Sequence, residues 1–118
     1  MIIVISSADK SISGETDLRF GRCKYFAVYD TETKECTFKG NDAINSSQGA
    51  GIAAAQAVIG FKANVVLTGN LGPKALSVLE ASGIKGYKFN QTTVEEAIGL
   101  FEKNELSPIT EPGKPQKK

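Results

Sequence analysis

"VVLTGNLGPKAL", residues 65–76, decides how this chain is read. Val65 to Thr68 is a short run of β-branched and apolar residues, the pattern of a strand buried on both faces. It breaks at Gly69, turns through Asn70 to Gly72, and restarts as a helix with Pro73 in its first turn. A strand that feeds a helix through so short a turn implies a parallel sheet with helices packed on it. Two readings of the turn stay open. Its backbone N–H groups, flanked by glycines that let a bulky ligand approach, favour an anion; equally, Gly69 and Gly72 suit a tight strand-to-helix connection. The spacing and ending of a P-loop are missing, so hydrolysis of a nucleoside triphosphate is not indicated.

Outward from this unit the same alternation continues. "IIVIS", residues 2–6, is a continuous apolar run suited to a central strand. The polar stretch from Ser7 to Asp17 is long for a connection, and the Ser6 to Asp17 loop is a candidate lid. "YFAVYD" (25–30) and "ECTFKG" (35–40) form a hairpin in which Val28 is expected opposite Cys36 and Phe26 opposite Phe38, all four on one face. "SSQGAGIAAAQAVIGFK" (46–62) is an alanine-rich helix with Ile52, Ala55 and Ile59 at inward spacing and Gly60 as a stop. "GPKALSVLEASG" (72–83) is a second helix with Leu76 and Leu79 inward. "KGYKF" (85–89) is a last short strand. In the closing helix, Thr92 with Glu95 or Thr93 with Glu96 makes a capping box ahead of Val94, Ala97, Ile98 and Phe101.

The order implies a mixed five-stranded sheet with three helices. The first strand sits at its centre, the hairpin on one side and the two later strands on the other. Residues 1–106 form the domain, and residues 107–118 are expected as a disordered Pro/Lys-rich tail. In such a sheet a ligand crevice opens outside the carboxyl ends of the parallel strands, here between the loop after Ser6 and the turn at Thr68 to Lys74.

Composition narrows the chemistry. The 118 residues are 41% hydrophobic and 23% charged, enough for one core of ordinary size. The formal charge is +1, and the tail from Ser107, with Lys114, Lys117 and Lys118 against Glu111, carries a net +2, which leaves −1 on the rest, so the domain lacks the basic field of a nucleic-acid binder. No apolar run is long enough to span a membrane, and the N-terminus lacks a signal-peptide pattern, so a cytoplasmic location is expected. Histidine is absent, which removes the commonest general base and metal ligand. Neither "IIVIS" nor "NVVLT" carries a carboxylate, which argues against a two-metal nuclease.

Two further stretches are candidate sites. Gly49 and Gly51 in "SSQGAG" stand near a helix start and offer a second set of donors towards the crevice, or simply begin a helix. In "RFGRCK", residues 19–24, Arg19, Arg22 and Lys24 surround Cys23. Their field is expected to favour the thiolate, making Cys23 a soft-metal ligand or a redox thiol; the plainer reading is a set of solvated basic residues beside a strand. A single cysteine without histidine cannot build a closed zinc site.

Taken together, "DLRFGRCKYFAVYD", "GAGIAAAQAV", "NVVLTGNLGPKALSVLEASGIKGY" and "TVEEAI" resemble the dinitrogenase iron-molybdenum cofactor-binding family, from about Met1 to Leu106. The resemblance implies a ribonuclease-H-like three-layer α/β fold without nuclease activity. It also implies a non-enzymatic carrier of an iron-molybdenum or related metal-sulfide cluster, with cofactor-biosynthesis proteins as partners. Carried onto this sequence, the cofactor-binding residues would be Arg19, Phe20, Gly21, Arg22, Gly49, Ala50, Gly51, Gly69, Asn70 and Gly72, with Cys23 as the metal ligand. Where many members have histidine before Phe-Gly, this chain has Arg19; where some have histidines before Gly-Ala-Gly, it has Ser46, Ser47 and Gln48. Binding would then rest on Cys23, or on electrostatics and N–H donors alone. The alternative is a metal-free protein-interaction module on the same fold.

Overall fold

The computed structural model describes residues 1–45 and 49–113. Its strands are β1 (Ile2–Ser7), β2 (Tyr25–Asp30), β3 (Cys36–Gly40), β4 (Val65–Thr68), β5 (Lys85–Lys88) and β6 (Ser107–Pro108). Its helices are α1 (Ala50–Gly60), α2 (Pro73–Ala81) and α3 (Val94–Glu102), with a 3-10 turn at Asp42–Asn45. The sheet order is β3-β2-β1-β4-β5-β6. β1, β4 and β5 run parallel, while β2, β3 and β6 are antiparallel to their neighbours. β1 is central, with the hairpin on one side and the later strands on the other, as its unbroken apolar run implied.

The pleat of β1 divides the core. Val4, with Val66 and Phe26, faces Ala54, Ala55, Val58, Leu76 and Leu79 of α1 and α2. Ile3 and Ile5, with Leu67 and Ala27, face Val94, Ala97 and Ile98 of α3. The alternation of side chains along a strand thus serves two helical layers at once. Each buried Leu, Ile or Val contributes roughly 1.5–3 kcal/mol of transfer free energy.

Four expectations are corrected. The sheet has six strands, not five, because Ser107 and Pro108 pair with Lys88 and Tyr87. Residues 107–113, expected in a disordered tail, are held by Ile109 N–H donating to Gly86 O and Gly113 N–H donating to Leu71 O, both at 2.8 Å. Local composition hid this, since Pro108 has no donor and Ile109 is the one apolar anchor. Residues 114–118 lie outside the described residues.

The hairpin register is shifted by one. Cys36 pairs with Tyr29 and Phe38 with Ala27, so Cys36 and Phe38 join the α3 face while Phe26 and Val28 join the other. Lys34 adopts φ 67° and its N–H donates to Asp30 O, so the turn takes one more residue than the sequence suggested. With a period of two, that single residue puts Cys36 and Phe38 on the face opposite to Phe26 and Val28.

Helix α1 begins at Ala50, and Ser46, Ser47 and Gln48 lie outside the described residues. Ala50, Ala54, Ala55 and Val58 are its buried residues, whereas Ile52 and Ile59 are only partly covered. Small side chains form the seam because α2 comes close, with a Cβ at Gly51 placed 3.4 Å from Ala75 Cβ.

The long connection is anchored. Thr16 N–H donates to Thr92 O and Asp17 N–H to Ser6 O; Gly14 O and Ile12 O accept from Val94 and Glu95 N–H, the first amides of α3. Thr93 Oγ1 accepts from Glu96 N–H and the Thr92 hydroxyl bonds the Glu96 carboxylate, as the capping pattern implied. The loop therefore satisfies the orphan donors of α3 and closes that helix start to any ligand. Amide exchange at Thr16, Val94 and Glu95 is expected to be as slow as in the middle of α3. Rates near those of unstructured peptide would show that the loop opens as a lid.

Candidate functional site

The carboxyl ends of β4 and β5 open on one crevice of about 730 Å³. It is lined by Leu18 to Arg22, by Gly69, Asn70 and Gly72, and by Lys88 to Gln91. At the ends of β1 and β4, behind the lining, Ser6 Oγ donates to Asp17 O at 2.6 Å and pairs with Thr68 Oγ1 at 2.8 Å. Both hydroxyls are removed from bulk water, and each is satisfied. That contact holds the start of the Leu18 to Arg22 segment over β1 and β4, where Arg19 bridges to Asn70.

Glycine makes the crossing possible. A Cβ at Gly69 would lie 2.7 Å from Leu18 Cβ and 2.8 Å from its Cα, and one at Gly21 would meet Gly51 N at 3.0 Å. The Phe-Gly-Arg stretch is thus clasped between the turn after β4 and the start of α1. Gly72 differs: a Cβ there meets nothing within 4 Å, and the residue lines the crevice at the start of α2. Neither α1 nor α2 has a side-chain cap at its N-terminus.

The two arginines have distinct settings. Arg19 Nε and Nη2 donate to Asp17 Oδ1 and Oδ2 at 3.0 and 2.9 Å, a bidentate pair, while its own backbone N–H also donates to Asp17 Oδ1. Burial pushes the Asp17 carboxyl up, but the hydrogen bonds and charge of Arg19 outweigh this and hold it below its usual range. The Arg19 side chain remains 69% exposed at the rim. Arg22 Nη1 donates to Ile44 O at 2.8 Å, which ties the segment to the 3-10 turn. Lys88 is a third cation at the end of β5, and the described lining contains no Asp or Glu.

Phe20 and Cys23 face inward. Phe20 is buried and its ring lies 5.6 Å from that of Phe26, which anchors the motif in the core. Cys23 has no solvent exposure, and its Sγ–H donates to Phe20 O at 3.3 Å. Burial pushes the thiol up to about 12, the reverse of the expected shift towards thiolate. The flanking basic side chains point to solvent while the sulfur points to the core, so desolvation wins over their field. As a ligand to anything in the crevice, Cys23 is misplaced. Among the described residues no group of three His, Cys, Asp or Glu side chains could hold a metal ion.

Arg19, Phe20, Gly21, Arg22, Gly69, Asn70 and Gly72 therefore meet at one crevice, whereas Gly49, Ala50 and Gly51 are not on the described lining, and Ala50 and Gly51 stand behind Gly21. Sequence reasoning missed Leu18, Lys88, Phe89, Asn90 and Gln91. The parallel strand ending at Lys88 was the available signal, since its carboxyl end opens on the same edge as the other two. It also missed Asn41, buried just after β3. Its Nδ2 donates to Cys23 O at 2.8 Å and to Gly21 O at 3.1 Å, fixing the backbone of the motif.

With this geometry in place, comparison is informative. Residues 1–104 match the family described as dinitrogenase iron-molybdenum cofactor. An uncharacterized protein of Methanocaldococcus jannaschii is 37% identical over 90 residues, 74% of this chain and 76% of that protein. The apo form of the orange protein from Desulfovibrio gigas superposes with a TM-score of 0.92 at 35% identity, covering 96% of each chain. A candidate NifB protein from Thermotoga gives 0.85 at 31% identity, covering 96% of this chain and 97% of the other.

Two outcomes follow. Gly69→Ala is expected to cost about 1–3 kcal/mol in urea unfolding through overpacking against Leu18, and Gly72→Ala no more than about 1 kcal/mol, the disadvantage of alanine at the N-cap of α2. Equal costs would mean that Leu18 yields without strain. At pH 8, iodoacetamide is expected to modify Cys36 in the native chain and Cys23 only after unfolding. Because the folded Cys23 thiol holds its proton above the ordinary value of 9.0, its stabilising contribution is complete below that pH and is lost as pH rises towards 12. Rapid native labelling of Cys23 would contradict its burial.

Proposed function

This chain belongs to the dinitrogenase iron-molybdenum cofactor family, and on that premise we propose that it is a non-enzymatic carrier of an anionic metal-sulfide cluster, iron-molybdenum or related. The observation that carries this reading is the crevice itself. Arg19, Arg22 and Lys88 line it beside the carboxyl ends of β4 and β5, with Asn70 and Asn90 as neutral donors and no carboxylate on the described lining, while Gln91 spends its amide on Glu15 and Thr16. Such a site attracts an anion by charge and can cover its outer sulfides with N–H groups. The uncapped start of α2 beside Gly72 adds a favourable dipole end. Charge and N–H donors, not a protein-to-metal bond through Cys23, supply the binding.

Arg19, Arg22, Gly69, Asn70 and Gly72 are proposed as cargo-contacting residues, with Lys88 and Asn90 added from the structure. Phe20 and Gly21 position the segment. Gly49, Ala50 and Gly51 back it from α1. The strand order supports reading the fold as ribonuclease-H-like, and β1 and β4 carry no acid with which to hydrolyse a phosphodiester. Cofactor-biosynthesis proteins would be the source and destination of the cargo. The likeness to an orange protein solved in its apo form agrees with a chain that folds before its cargo arrives.

Anaerobic titration with tetrathiomolybdate, followed by visible absorbance and gel filtration, tests this. Stoichiometric co-elution is expected. Arg19→Ala and Lys88→Ala should each weaken binding about tenfold, the loss of one charge-assisted hydrogen bond of about 1.5 kcal/mol. Cys23→Ser should leave it unchanged. No co-elution at tens of micromolar would sink the carrier reading in favour of a metal-free interaction module.

A further inference from the structure

The segment Ser107–Gly113 crosses the end of the sheet beside the crevice, and we infer that it is a strap that positions Asn70 and Lys88 for binding. It deepens the carrier reading and rests on it. Three contacts fix the strap. Ser107 pairs with Lys88 in the sheet, Ile109 N–H donates to Gly86 O while its side chain packs on the core, and Gly113 N–H donates to Leu71 O at 2.8 Å. Leu71 lies between the two crevice residues Asn70 and Gly72, so the last contact is made on the backbone of the turn itself.

A second groove of about 330 Å³ separates the strap from the turn. Gly69, Asn70 and Lys88 line both this groove and the main crevice. They therefore form a thin partition, approached by cargo from one side and by the strap from the other. At its far end the fit is tight: a Cβ on Gly113 would overlap the Asn70 carboxamide. Asn70 is exposed and, apart from the backbone bridge to Arg19, lies outside helix and strand. The strap restrains its side chain, and it holds the backbone of Lys88 through the β5–β6 pairing. Cargo that contacts Asn70 and Lys88 favours the arrangement in which the strap is seated, and the coupling is reciprocal.

The test uses the full chain and tetrathiomolybdate as probe. In Gly113→Ala the added methyl displaces Asn70 or lifts the strap, and affinity is expected to fall about tenfold, within the usual range of coupling between sites. Ile109→Ala, which loosens the strap from the core without touching Asn70, should weaken binding in the same direction. In the wild type, probe should slow amide exchange at Ile109 and Gly113. Unchanged affinity in both variants, with unchanged exchange, would overturn the strap while leaving the carrier reading intact. If the wild-type chain binds no probe at all, both fall together.

Discussion

The approach of Leu18 to Gly69 is the constraint on which the site depends. Residues 18–22 reach the carboxyl ends of β1 and β4 only because no Cβ stands at position 69. Once there, Asp17 and Ser6 lock the segment from below and Phe20 pulls it into the core. Arg19 and Arg22 are then left at the rim by exclusion, since the apolar members of the stretch take the interior and the charged members cannot follow. A glycine that looks like a ligand cradle thus acts first on the protein's own backbone, and the crevice is the result.

Electrostatics follows from the same packing. Cys23 and Arg22 are neighbours in sequence, yet one lies in the core and the other at the surface. The thiol loses its water without gaining a cation, and its proton is held more tightly. Arg19 keeps its water and gains Asp17, which orients the guanidinium without burying it. The crevice therefore offers fixed positive charge and hydrogen-bond donors, and no thiolate. That division is the chemical basis of the carrier role proposed above.

The loop from Ala8 to Asp17 and the strap from Ser107 to Gly113 look alike in sequence, both polar and punctuated by Gly, Ser or Pro. Each nevertheless has a place. The first spends its carbonyls on the opening amides of α3, and the second spends its amides on carbonyls of β5 and the turn before α2. Backbone groups that would be orphaned at an element's end thus find partners in segments with no regular structure of their own.

The sequence by itself determined the alternation of strands and helices, the central place of β1, the capping of α3 and the edge at which the crevice opens. Those features rest on local periodicity and on turn chemistry, which act within a few residues. Tertiary structure alone decided the register of the hairpin, the sixth strand, the inward turn of Cys23 and the arrival of Lys88 to Gln91 at the site. Each depends on which partner a residue meets across the sheet. Lys34 in a left-handed conformation shifts the hairpin by one residue, and a carbonyl on Gly86 orders the segment around Ile109. Gly86 is far from Ile109 in sequence, and although Lys34 and Asp30 are near neighbours, the register they set is selected by which face of the hairpin is buried against α3, so neither outcome leaves a mark on local pattern.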